Sequence, residues 1–158
     1  MGAPWEIVRS NNLTADERVV DVYTKGGDIG TYHAFFALVP DYAIAISVMM
    51  GGSEASGGHE QALLAQVVKS LIPLLEEAGK KEASKAFAGV YINEETNSSL
   101  ILDVDDEGAG LNITEWFVRG SDVSANWDNY LSALGPSPPI SFEGRLYPAG
   151  LKAEDKTS

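Results

Sequence analysis

Apolar positions along the chain follow two rhythms in turn. Three strand-like runs come first, at residues 18–24, 32–39 and 42–50. Val19, Val20, Val22 and Tyr23 are β-branched or aromatic and predict the first strand. The other two runs are apolar almost throughout, which predicts strands covered on both faces. Gly26, Gly27 and Gly30 predict a tight turn. Val39-Pro40-Asp41-Tyr42 predicts a type I turn with proline in its second position. Together the three runs predict an antiparallel meander. From His59 to about Lys85 the period becomes helical, with Leu63, Leu64, Val67, Val68, Leu71, Ile72, Leu74 and Leu75 three and four apart. Glu76, Glu77, Lys80 and Lys81 mark its solvated end. Pro73 lies inside the pattern and is expected to kink or split the helix, because it removes a backbone hydrogen bond.

A strand-rich part follows, with runs at 87–92, 98–104, 111–118 and 140–147 and a short helix within 121–134. Residues 93–97 and 105–108 read as turns, and Gly135-Pro136-Ser137-Pro138-Pro139 as a stiff linker. The expected fold class is α+β. Residues 1–85 form a meander with one long Pro-kinked helix, residues 86–150 a small β-rich half, and residues 151–158 a charged tail.

The 158 residues suffice for one ordinary core or two small ones, and 44% of them are apolar. A formal charge of −12 disfavours nucleic acid and anionic membranes as partners, because no basic stripe can neutralise phosphates. Without cysteine there is no disulfide, thiolate nucleophile or zinc–thiolate site. His33 and His59 show no ligand-like spacing, so neither a dedicated metal site nor a cofactor is expected. Pro40-Asp41 interrupts the apolar stretch 34–50, which reads as two strands rather than a membrane span. Asn12-Leu13-Thr14, Asn97-Ser98-Ser99 and Asn112-Ile113-Thr114 are glycosylation sequons. The expected location is cytoplasmic if Met1 is the native start, and secreted if the chain is a fragment of a longer parent.

Chemistry concentrates at Tyr23-Thr24-Lys25-Gly26-Gly27, which sets a cation beside bare backbone at a sheet rim. Lys25 can hold an anion or polarise a carbonyl, or simply stand in solvent as a strand lysine. His33 follows Tyr32 near the same rim and can act as an acid or base near neutral pH. Tyr23 and Tyr32 are candidate pocket walls. Trp116 and Trp127 are candidates in the second half, with Arg119 as a partner for a ligand carboxylate. Plain core packing is the alternative for each aromatic. Asp103, Asp105, Asp106 and Glu107 lack the spacing of a calcium loop and read as a solvated turn.

Pro4-Trp5-Glu6-Ile7, the run 18–25, Tyr32 and the Leu38-Val39-Pro40-Asp41-Tyr42 turn resemble fungal serine β-lactamase-like proteins, relatives of class C β-lactamases and penicillin-binding proteins. The resemblance is to the C-terminal third of a much longer protein. It implies that the second half is part of a lipocalin-like barrel. The family's chemistry uses Ser-x-x-Lys, Tyr-x-Asn or Ser-x-Asn, and Lys-Thr/Ser-Gly. Only the third has a counterpart, Lys25-Gly26-Gly27, with glycine in the hydroxyl position. No serine has lysine three residues later, and Tyr91-Ile92-Asn93 and Ser124-Ala125-Asn126 follow the lysine motif rather than precede it. A sheet cut at this point is expected to repack or to be completed by a homodimer.

Three functions follow. The first is a non-hydrolytic cyclase or isomerase of fungal specialised metabolism, folding a hydrophobic polyene or terpenoid and activating it by hydrogen bonds. The second is a catalytically inactive C-terminal piece of a secreted serine hydrolase. The third is a small-molecule carrier.

Overall fold

Leu64, Val68 and Ile72 recur every fourth residue and explain how the first half folds: they bury one stripe of a helix on one face of a sheet. The computed structural model describes residues 3–56, 58–135, 138 and 140–149. These divide into two compact units, Met1–Gly79 and Lys80–Ser158. The class is α+β, with antiparallel sheets and one long helix.

In the first unit, β1 (Glu6–Ser10), β2 (Val20–Ile29), β3 (Tyr32–Val39) and β4 (Ile44–Gly51) form an antiparallel sheet in chain order. Helix α1 (His59–Phe87) starts in this unit. Val20, Val22, Ala37 and Val39 meet Leu64, Val68 and Ile72 in the core, joined by Leu13. The stripe is narrower than the sequence pattern, since Leu63 and Leu74 are exposed. Pro73 does not split α1, which runs unbroken for 29 residues with the proline on an exposed position.

Two expectations change in this sheet. The strand does not stop at Thr24 but runs through Gly26 and Gly27, which pair with Phe35 and Ala34. The reason is packing: a Cβ on Gly26 would come within 3.1 Å of the Phe35 ring, so the bare backbone makes room for the aromatic. The turn falls at Gly30-Thr31, between the paired Ile29 and Tyr32, and Gly30 takes the positive φ of 60° that a two-residue hairpin requires. The second change is β1, which adds an edge strand outside the predicted runs.

Glu76 is not at a solvated end. Arg18 ties it down: Nη1 donates to Glu76 Oε2 at 3.1 Å and to both Asp16 oxygens at 3.1 Å, and Nη2 donates to the Tyr42 hydroxyl at 2.9 Å and to Glu76 Oε1.

In the second unit, β5 (Gly89–Asn93), β6 (Ser98–Asp103), β7 (Leu111–Val118) and β8 (Ser121–Asp122) form an antiparallel sheet, with β9 (Arg145–Leu146) pairing the other end of β7. Among the described residues this sheet is open. Helix α2 (Trp127–Ser132) occupies part of the predicted 121–134 segment. The last strand is two residues rather than eight, since only Arg145 and Leu146 find ladder partners. Arg145 Nη2 donates to both Asp105 oxygens at 2.8 Å. Burial works to raise the Asp105 carboxyl, but the Arg145 hydrogen bonds and the Glu107 and Gly108 backbone hold it below its ordinary value. Most of the expected Gly-Pro linker and the tail lie outside the described residues.

Candidate functional site

Side-chain parity decides which candidates can act together. In β2 and β3, Thr24, Gly26 and Asp28 stand opposite Ala37, Phe35 and His33, on the face that carries the buried core. Tyr23, Lys25 and Ile29 stand opposite Leu38, Phe36 and Tyr32, on the other face. Lys25 and His33 therefore leave the sheet on opposite sides.

On the outer face, Lys25 is exposed, with its Nζ 3.4 Å from Glu6 Oε1 and 3.3 Å from the Gly26 carbonyl. Phe36 beside it packs against Trp5 at 6.0 Å between centroids. Tyr23 is half-buried on the same face, and Tyr32 is 70% exposed. This surface joins a cation to an aromatic floor, and it can hold a carboxylate against Lys25. The ion pair with Glu6 is exposed, so a ligand anion can replace it at little cost.

On the inner face, His33 Nδ1 lies 2.5 Å from Asp28 Oδ1. Further along, a cleft of about 210 Å³ opens between the sheet and α1. Val8, Leu13, Val22, Phe35, Leu64 and Val68 make it apolar, with Thr24, Gln61 and Lys69 as polar groups. The buried Thr24 hydroxyl donates to the Glu6 carbonyl at 3.0 Å. None of the seven candidates from the sequence lines this cleft. Its position depends on β1, which supplies Glu6, Val8 and Ser10, so an edge strand hidden in the pattern also hid the cleft.

In the second unit, Trp116 and Trp127 converge on one ring: Phe142 lies 6.0 Å from Trp116 and 5.1 Å, edge-on, from Trp127. Arg119 is apart from them. With Gly120 it forms the turn between β7 and β8, both residues at positive φ, and its backbone N–H donates to Ser98 Oγ at 3.0 Å. Its side chain is exposed.

Residues 79–158 match the family model described as "Beta-lactamase-like-like, C-terminal domain".

The chain belongs to this β-lactamase-like family.

It is 31% identical over 127 residues to the "Probable hydrolase clz13" of Cochliobolus lunatus, covering 78% of the chain and 20% of that protein. It is equally similar, 31% over 127 residues, to the "Probable hydrolase M10" of a Phoma species, covering 21% of that protein. The "Beta-lactamase-like protein str6" of Strobilurus tenacellus is 24% identical over 126 residues, with 40% of it covered. This β-lactamase-like chain thus spans about a fifth of the length of the first two relatives. No solved structure matches it significantly. No helix among the described residues is long and apolar enough to cross a membrane.

Proposed function

We propose that this β-lactamase-like chain is the carboxylate-binding part of a hydrolase whose nucleophile is carried by other polypeptide, and that it has no hydrolytic activity of its own. One observation carries the reading: Lys25 projects from β2 on the open outer face, beside Phe36 and Trp5, and away from the helix-covered core. A lysine there can bind a substrate carboxylate, while Gly27 on the same face, with open space where a Cβ would stand, lets a ligand approach closely. The names of the relatives, which call two of them probable hydrolases, support the reaction class. The open sheet of the second unit is then a part of a lipocalin-like barrel. The test is an NMR titration of the chain with benzylpenicillin, followed by mass spectrometry. Amide shifts are expected around Lys25, Gly26 and Gly27, are lost in Lys25→Met, and come with no covalent adduct. A stoichiometric acyl adduct, or an unchanged titration in Lys25→Met, would sink the proposal.

The apolar cleft favours a second reading, in which a hydrophobic small molecule is carried, or is cyclised or isomerised without hydrolysis. Thr24 and Gln61 would supply the hydrogen bonds. A fluorescent polyene, cis-parinaric acid, is expected to bind and to be displaced by widening Ala65 to Phe, since Ala65 lines the cleft. Binding unaffected by Ala65→Phe would remove this reading.

A further inference from the structure

Asp28, His33 and Glu60 offer one carboxylate oxygen, one imidazole nitrogen and one carboxylate oxygen that all lie within 4.8 Å of one another. Asp28 and His33 are a directly opposed pair on β2 and β3, next to the Gly30 hairpin, and Glu60 is in the first turn of α1. The three therefore meet where the hairpin end of the sheet reaches the start of the helix, all inside the first unit.

Glu60 is the unusual member. It is only 2% exposed, and its Oε2 has no hydrogen-bond partner. A favourable position in the first turn of a helix accounts for a negative charge there, but not for burying an oxygen unpaired. A buried carboxylate is stable when it is paired or holds a cation.

We propose that Asp28, His33 and Glu60 bind a divalent first-row transition cation, with Zn²⁺ as the type ion. One nitrogen and two oxygens suit a borderline cation better than Mg²⁺ or Ca²⁺, which take oxygen alone. Two carboxylates and a neutral imidazole leave a net charge that a dication offsets. Zinc bonds of about 2.0–2.1 Å put neighbouring ligand atoms about 3.3 Å apart. The ligand atoms now bracket that value, from 2.5 Å between Asp28 Oδ1 and His33 Nδ1 to at most 4.8 Å. The Asp28 side chain is 62% exposed, so it can turn to admit an ion by giving up its direct contact with His33 Nδ1. Because Asp28 faces solvent, the site has an open side, where water or a ligand oxygen completes the coordination. The site does not depend on Lys25, which lies on the opposite face, so it stands or falls separately from the hydrolase reading.

The test is calorimetric titration of the metal-stripped full chain with Zn²⁺, alongside thermal melts and circular dichroism. One ion per chain is expected, with a rise in Tm. His33→Ala and Glu60→Gln are each expected to weaken binding by more than about tenfold. His59→Ala, at the exposed neighbouring histidine, should leave it unchanged. Glu60→Gln can perturb folding, so His33→Ala is the deciding variant, and Co²⁺ loaded in place of Zn²⁺ should show a d–d spectrum that this variant loses. No Zn²⁺ binding, or binding that follows His59 instead of His33, would overturn the proposal.

Discussion

Arg18 joins three stretches of the first unit that are far apart in sequence: Asp16 in its own loop, Tyr42 in the turn Pro40–Tyr42, and Glu76 on α1. Its planar fork suits this, because several oxygens can be met at once without rearrangement. Burial works to raise the Glu76 carboxyl, but hydrogen bonds from Arg18 and Tyr42 hold it below the ordinary 4.5. Asp16 behaves alike: burial raises it, and its hydrogen bonds from Arg18 bring it below the ordinary 3.8. A carboxyl whose value is lower in the folded state adds stability above its unfolded value and loses it as pH falls through the folded one. Glu76→Gln is therefore expected to destabilise the protein by roughly 1–2 kcal/mol at neutral pH. The difference in Tm from the parent should shrink below the ordinary 4.5 and vanish at strongly acid pH. Melts followed by circular dichroism across that range check it, and a difference independent of pH would contradict it. The same residue scale explains why the metal-site candidates were not legible. Ligand spacing along one element is what a sequence displays, whereas Asp28, His33 and Glu60 come from two strands and a helix.

At the scale of elements, the periodic segments were legible and the glycines and edges were not. β3 and β7 fall on the apolar runs that predicted them, and α1 extends the predicted helix only to Phe87. Pro73 left the helix unbroken because its position is exposed, so the proline ring and the missing hydrogen bond face solvent rather than packed neighbours. Gly26 and Gly27 looked like a turn because glycine punctuates chains. Here Gly26 yields its side-chain space to Phe35 across the ladder, a pairing no local window contains. Pro4–Ile7 carries a family resemblance but Glu6–Ser10 is not predicted as a strand, because five residues with charges at Glu6 and Arg9 carry little pattern. Its outer-face Arg9 is held by Asp21, whose carboxyl the Arg9 hydrogen bonds lower. In the sequence Lys25 and His33 share a rim, because both lie close to one hairpin. Pairing Asp28 with His33 and Lys25 with Phe36 fixes them on opposite faces, so the two candidates belong to two different surfaces.

Across the whole molecule, cover is unevenly distributed. The first unit buries Leu13, Val20, Val22, Ala37, Val39, Leu64, Val68 and Ile72 in one cluster. In the second unit only Leu102 and Val123 are buried hydrophobics among the described residues. Every residue of β5 is exposed, including Val90 at 61% and Ile92 at 68%, and among the described residues β5 is an edge strand with β6 as its one neighbour. Apolar groups left in water contribute nothing to holding their strand in place, and an edge strand has half the ladder of a central one. A net charge of −12 favours solubility for such a surface without stabilising it. Local opening is cheapest where few apolar contacts must be broken, so β5 should open well before β2 and β3, whose Val20, Ala37 and Val39 are fully buried. Native-state hydrogen exchange followed by mass spectrometry reads this directly. Ladder amides of β2 and β3 are expected to exchange at least about a hundredfold more slowly than those of β5. Equal protection in the two sets would mean that β5 is covered by something other than the packing described, and would move the stability of the second unit from its own sheet to whatever covers it.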